Sequence, residues 1–132
     1  VSSPARVEEA LNRRELIVFN QIYYDYNSAI VKVRAMQELD LLANYLIRNP
    51  DLRVQLTAYT DARGTREYNQ QLSADRGQLA KRYLVNRGIS DFRIIAVGRG
   101  ENNIRNHCAN GVLCSDQEHE YNRRTEVQIL EY

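Results

Sequence analysis

The chain has 132 residues, 43% of them hydrophobic and 27% charged, with a formal net charge of +1. That length supports one domain with a modest core and not two. The near-neutral balance lacks the basic footprint of a nucleic-acid-binding or membrane-surface module, and no apolar run approaches the roughly 18 residues of a membrane span.

The opening VSSPARVEEA has no apolar signal-peptide core, and a start at Val1 is what an excised piece of a longer protein would show. Residues 4–14, PARVEEALNRR, suit a short helical lead-in, with Pro4 tolerated in a first turn. We therefore set a lead-in over residues 1–14 apart from a domain over residues 15–132. From Glu15, ELIVFNQIYYDY is rich in β-branched and aromatic residues and predicts a strand. It ends at Asn27 and Ser28, either of which can cap a helix. The helix that follows carries Val31, Ala35, Leu39, Leu42, Ala43 and Leu46 at helical spacing, with Lys32, Arg34, Glu38 and Asp40 off that stripe. Pro50 stops it, because the residue before a proline is driven out of the helical region.

LRVQLTAYT then alternates, Val54, Leu56 and Ala58 facing one way and Arg53, Gln55 and Thr57 the other, as a half-buried strand does. A second helix follows the turn at Gly64, with Tyr68, Leu72, Leu79 and Tyr83 as its apolar stripe and Gly88 as its stop. RIIAVGRG is a third strand ended by Gly98 and Gly100. The segment ENNIRNHCANGVLCSDQEHEYN reads as irregular, and its length calls for a function or a staple. RRTEVQILEY alternates again as the last strand. The predicted order is β-α-β-α-β-loop-β, an α+β two-layer sandwich with two main helices on one face of a four-stranded mixed sheet.

Cys108 and Cys114 bracket a turn-rich loop and form a candidate disulfide, which points to an oxidising compartment. Closing so short a loop stabilises by roughly 2 kcal/mol in the chain-entropy model. His107, Cys108, Cys114 and His119 are all metal-ligand types, but H-C-x5-C-x4-H fits no zinc pattern. A disulfide with two surface histidines is the favoured reading, and no cofactor or metal is expected. No nucleophile, base and orienting group fall into a hydrolytic arrangement, since Ser73 and Ser115 lack a histidine with a defined role. GRGENN lacks the lysine-serine pair and following helix of a phosphate loop.

Asp61 sits where the second strand runs out, and Arg76 lies on the next helix along one face with Asn69 and Leu72. A carboxylate accepts hydrogen bonds from an ammonium, and a guanidinium fork grips a carboxylate. A free amino-acid head would satisfy both groups at once. Helix amides near Thr65 would add attraction for an anion. The competing reading is an internal Asp61–Arg76 salt bridge in a structural interaction domain.

The run TDARGTREYNQQLSADR, followed in order by YLVNRGIS, RIIAVGRGE and NRRTEV, resembles the OmpA-like C-terminal family. That family includes the peptidoglycan-associated lipoproteins and the periplasmic domain of flagellar stator proteins. The similarity runs from about Ile22 to Ile129, and TDARGTREYN is most similar to the lipoprotein branch. The resemblance implies noncovalent binding of peptidoglycan through the diaminopimelate of its stem peptide, in the periplasm, with outer-membrane association through parts of a larger protein. It puts Asp61 on the ligand's ammonium and Arg76 on its carboxylate. Thr60, Asn69 and Leu72 match neighbouring pocket positions. Tyr26 and Asn27 match the aromatic-acid pair that ends the first strand, although Asn27 stands where the family commonly has aspartate. Ala62 replaces a frequent asparagine. Arg123 and Arg124 match the closing motif but point to opposite faces of a strand, so one of them reaches the ligand. A hydrolase acting on the same polymer is the remaining alternative.

Overall fold

The computed structural model describes residues 9–13, 15–20, 33–102, 104–109, 111–120 and 122–130. Most of the lead-in, the stretch after Asn20 expected to continue the first strand, the first helix's start at Val31 and Lys32, and Tyr26 and Asn27 lie outside these residues.

Four strands form one sheet in the order β1-β4-β2-β3. They are β1 (Ile17–Asn20), β2 (Arg53–Tyr59), β3 (Ile94–Gly98) and β4 (Arg124–Leu130). β2 and β3 run parallel, while β4 lies antiparallel to both β1 and β2, so the sheet is mixed as expected. The long helices are α1 (Val33–Arg48) and α2 (Arg66–Asn86). A 3-10 turn over Asp91–Arg93 precedes β3.

One core explains the packing. Leu39, Leu42, Ala43 and Leu46 of α1 meet Ala80 and Leu84 of α2 over Ile17, Val54, Leu56, Ile94, Val127 and Ile129 of the sheet, with Leu11 joining from the helical residues 9–12. Alternation along each strand sends these apolar side chains to the helix-covered face. The expected strand phase for Val54, Leu56 and Ala58 is therefore observed.

Helix ends are set by local chemistry. Thr65 accepts a hydrogen bond from the Tyr68 N–H at 3.1 Å, capping α2. At the other end Gly88 adopts φ +105°, and the Gly88 and Ile89 N–H groups donate to Val85 O and Leu84 O. This is a Schellman ending, with Ile89 and Leu84 both in the core. The buried Arg93 closes α1: its guanidinium donates to Leu46 O, Asn49 O and Leu52 O at 2.8–2.9 Å.

Two expectations require correction. Tyr68 is 48% exposed, because the buried face of α2 is Asn69, Leu72, Ser73, Arg76, Gly77, Ala80 and Leu84. Its C-terminal half is apolar and its N-terminal half largely polar, which a search for apolar periodicity does not register. The segment after β3 is not wholly irregular either, for Asp116–Glu120 forms a short helix, α3. Ser115 accepts from the Glu118 N–H while Glu118 accepts from the Ser115 N–H, a capping box. Among the described residues no helix is long and apolar enough to cross a membrane.

Candidate functional site

The site begins where the parallel pair β2 and β3 runs past its last regular residues. Arg99 N–H donates to Ala58 O at 3.0 Å and Thr60 N–H to Gly100 O at 2.8 Å, so the two exit loops stay stitched together. Gly98 is required there. A Cβ on it would lie 2.3 Å from Ala74 N, so only a glycine lets β3 approach the α2 backbone this closely. Ser73, buried in α2, then accepts the Gly100 N–H at 2.8 Å.

Asn69 joins the loops from the helix side. Its amide nitrogen lies 3.3 Å from Asp61 O, 2.9 Å from Arg63 O and 3.1 Å from Glu101 Oε1. Thr60 donates its hydroxyl to Asp61 O at 2.9 Å. Two of the three residues expected as neighbouring pocket positions, Thr60 and Asn69, thus hold the backbone that carries Asp61.

Asp61 is 1% exposed. Arg63 N–H donates to its Oδ1 at 2.9 Å, an Asx turn that aims the carboxylate. The Arg63 side chain adds Nε to Oδ1 at 3.2 Å and Nη2 to Oδ2 at 2.8 Å, and Arg123 Nη1 reaches Oδ2 at 2.8 Å. Burial pushes this carboxyl up, but the hydrogen bonds from Arg63 and Arg123 outweigh it and hold it below the usual carboxylate value. Asp116, at the start of α3, faces the same guanidiniums at 3.1 Å from Arg63 and 3.5 Å from Arg123.

Among the described residues the ion-pair partners of Asp61 are Arg63 and Arg123, rather than the Arg76 of the competing salt-bridge reading. Arg76 is fully buried on the α2 face it shares with Leu72 and Asn69.

The structure also separates the two closing arginines. Arg123 has the strand parity of Val127 and Ile129, whose side chains are in the core, and it meets Asp61. Arg124 has the opposite parity, bonds Glu126 at 2.8 Å and stacks over the Tyr59 ring at 4.0 Å. Tyr59 and Arg124 are register partners across β2 and β4.

Cys108 and Cys114 are joined by a disulfide, S–S 2.07 Å. His107, Cys108, Cys114 and Glu118 converge, but both sulfurs are spent on each other and offer no thiolate. His119 is not the surface histidine expected, being 5% exposed. Two participants were not found from the sequence, Arg63 and Asp116. An Asx turn at Asp61 uses only the backbone N–H of residue 63, so it gives no signal for the Arg63 side chain. The SDQE capping box would have placed the second at a helix start.

Comparison with known proteins gives a consistent outcome. The OmpA family profile matches residues 23–114. A peptidoglycan-associated lipoprotein from Pseudomonas putida is 43% identical over 79 residues, 60% of this chain and 47% of that protein. Outer membrane porin F from Pseudomonas fluorescens is 34% identical over 80 residues, 61% of this chain and 24% of the porin. The crystal structure of the peptidoglycan-associated lipoprotein from Burkholderia pseudomallei superposes with a TM-score of 0.73 at 26% identity, covering 85% of this chain and 91% of that one. The C-terminal domain of Helicobacter pylori MotB shares the fold, with a TM-score of 0.73 at 15% identity, over 88% of this chain and 85% of that one. The chain spans about half the length of the lipoprotein relatives it matches.

Proposed function

The chain belongs to the OmpA family, and from that premise we propose that it binds peptidoglycan noncovalently through the diaminopimelate of the stem peptide. Asp61 accepts the ligand's ammonium and Arg76 grips its carboxylate. Thr60, Asn69 and Leu72 build the wall between them, and Arg123 keeps Asp61 ionised. Tyr26 and Asn27 belong to the same proposed pocket by resemblance. The module anchors an outer-membrane-associated protein to the cell wall in the periplasm, and the named relatives, lipoproteins and a porin, support that setting. It acts as a binding module, at equilibrium and without turnover.

The observation that carries this reading is Asp61 itself. It is a buried carboxylate aimed by its own turn, and among the described residues it pairs with Arg63 and Arg123, which hold it ionised. A groove of about 450 Å³ bordered by Arg66, Gln70, Arg99 and Glu101 lies beside the loop that Asn69 holds. It gives room for the remainder of a stem peptide.

Sedimentation with purified sacculi tests the assignment. Wild-type protein should pellet with the sacculi, whereas Asp61→Ala and Arg76→Ala should stay in the supernatant. Removing one member of a buried charge pair typically costs about 2–5 kcal/mol of binding. Undiminished pelleting of both variants would sink the proposal. The wild-type melting temperature should also rise with free diaminopimelate, since a ligand specific to the native state stabilises by mass action.

A further inference from the structure

Asp61 is already occupied. Its two oxygens take two side-chain hydrogen bonds from Arg63 and one from Arg123, besides the backbone N–H of Arg63. An incoming ammonium needs the same lone pairs, so one guanidinium has to give way. The two are not equivalent. The Arg123 side chain is 10% exposed and enters from the core-facing side of β4, whereas that of Arg63 is 29% exposed and springs from the loop. Arg63 Nη2 also already touches a second carboxylate, Asp116 Oδ1, at 3.1 Å, and Asp116 is 68% exposed.

We propose that Arg63 is a built-in competitor of the ligand, holding the Asp61 oxygens until an ammonium takes them, and that Asp116 is the carboxylate that receives it. This rests on the reading of Asp61 as the ammonium acceptor. The exchange conserves charge pairing: the ammonium replaces one guanidinium on Asp61, and the displaced cation stays paired on Asp116. The move outward also separates Arg63 from the incoming positive charge, a repulsion that would be severe inside the site. The Asx-turn N–H of Arg63 belongs to the backbone, so the carboxylate keeps its aim while the side chain leaves. Asp116 is fixed for this task by the Ser115–Glu118 capping box, just after the Cys108–Cys114 staple. Ligand selection follows as well. A ligand without the ammonium has nothing to offer Asp61 in exchange and meets a site closed by Arg63.

Titration calorimetry with free diaminopimelate on wild type, Arg63→Gln, Asp116→Asn and the double variant tests the exchange. Arg63→Gln keeps the backbone turn and should bind roughly five- to tenfold tighter, the ligand no longer displacing a charge-assisted pair. Asp116→Asn should bind several-fold more weakly in the wild-type background, because the displaced arginine loses its perch. It should have no effect in the Arg63→Gln background, the coupling that a double-mutant cycle isolates. A merely structural role for Asp116 would weaken binding equally in both backgrounds and would overturn the proposal. So would unchanged or weaker binding by Arg63→Gln while the wild type binds, which leaves the assignment of Asp61 standing. Binding by Arg63→Gln alone would support competition directly, and binding by none of the four would remove both readings.

Discussion

A carboxylate as enclosed as Asp61 stays ionised because two guanidiniums and a backbone N–H face it. Its ordinary value is 3.8, and in the folded protein it lies lower. The unfolded chain therefore takes up that proton first. Asp61 contributes its full stability above the unfolded value and loses it as pH falls through the lowered folded one. Acid denaturation followed by circular dichroism should show this limb in the wild type and a flatter one in Asp61→Asn. Binding should share the same dependence, holding through mildly acidic pH until Asp61 protonates. On the proposed assignment of Arg76 to the ligand's carboxylate, the fork matters beyond the charge. Arg76→Lys keeps a cation but cannot make the bidentate grip, so diaminopimelate affinity should fall by about tenfold or more in calorimetry. The same scale shows what could be read without a structure. Asp61 and Arg76 were singled out as a zwitterion site by the family resemblance more than by their spacing, and the parity of Val127 and Ile129 would have separated Arg123 from Arg124. Arg63 could not be assigned, because a surface-type arginine in a turn looks identical whether it faces water or folds back on its neighbour.

Elements were legible where their periodicity is apolar. β2, β4 and the middle of α1 follow alternation or helical spacing into the core, and Gly88 marks the end of α2 through its left-handed backbone. The first half of α2 was misread for a physical reason. Beside Leu72, which the apolar stripe placed correctly, its buried face is made of Asn69, Ser73 and Arg76, and the first two are inside because they hold the exit loops. Tyr68, the apolar-looking residue, is outside. Two substitutions separate the roles of the glycines at this scale. Gly88→Ala forces an L side chain into φ +105° with open space around it and should cost about 1 kcal/mol by chemical denaturation. Gly98→Ala drives a methyl group into the α2 backbone at Ala74 and should cost at least about 3 kcal/mol. It should also weaken sacculus binding, since Ser73 and Gly100 lose their register.

At the scale of the whole molecule, the Cys108–Cys114 bridge ties the long excursion between β3 and β4. Removing both cysteines as a serine pair should lower the melting temperature by roughly 5–10 °C, matching about 2 kcal/mol for so short a loop. The sheet order has a larger effect. β4, last in the chain, lies between β1 and β2 and is the neighbour both require. A chain that folds from its N-terminal side therefore keeps two strand edges unpaired, and its sheet closes only when residues 124–130 dock. Arg123, the residue at the threshold of that insertion, is also the one that clamps Asp61. Closing the sheet therefore also sets Arg123 beside the Asp61 carboxylate, and a copy cut short before residue 123 should lose that contact together with the strand that joins β1 to β2.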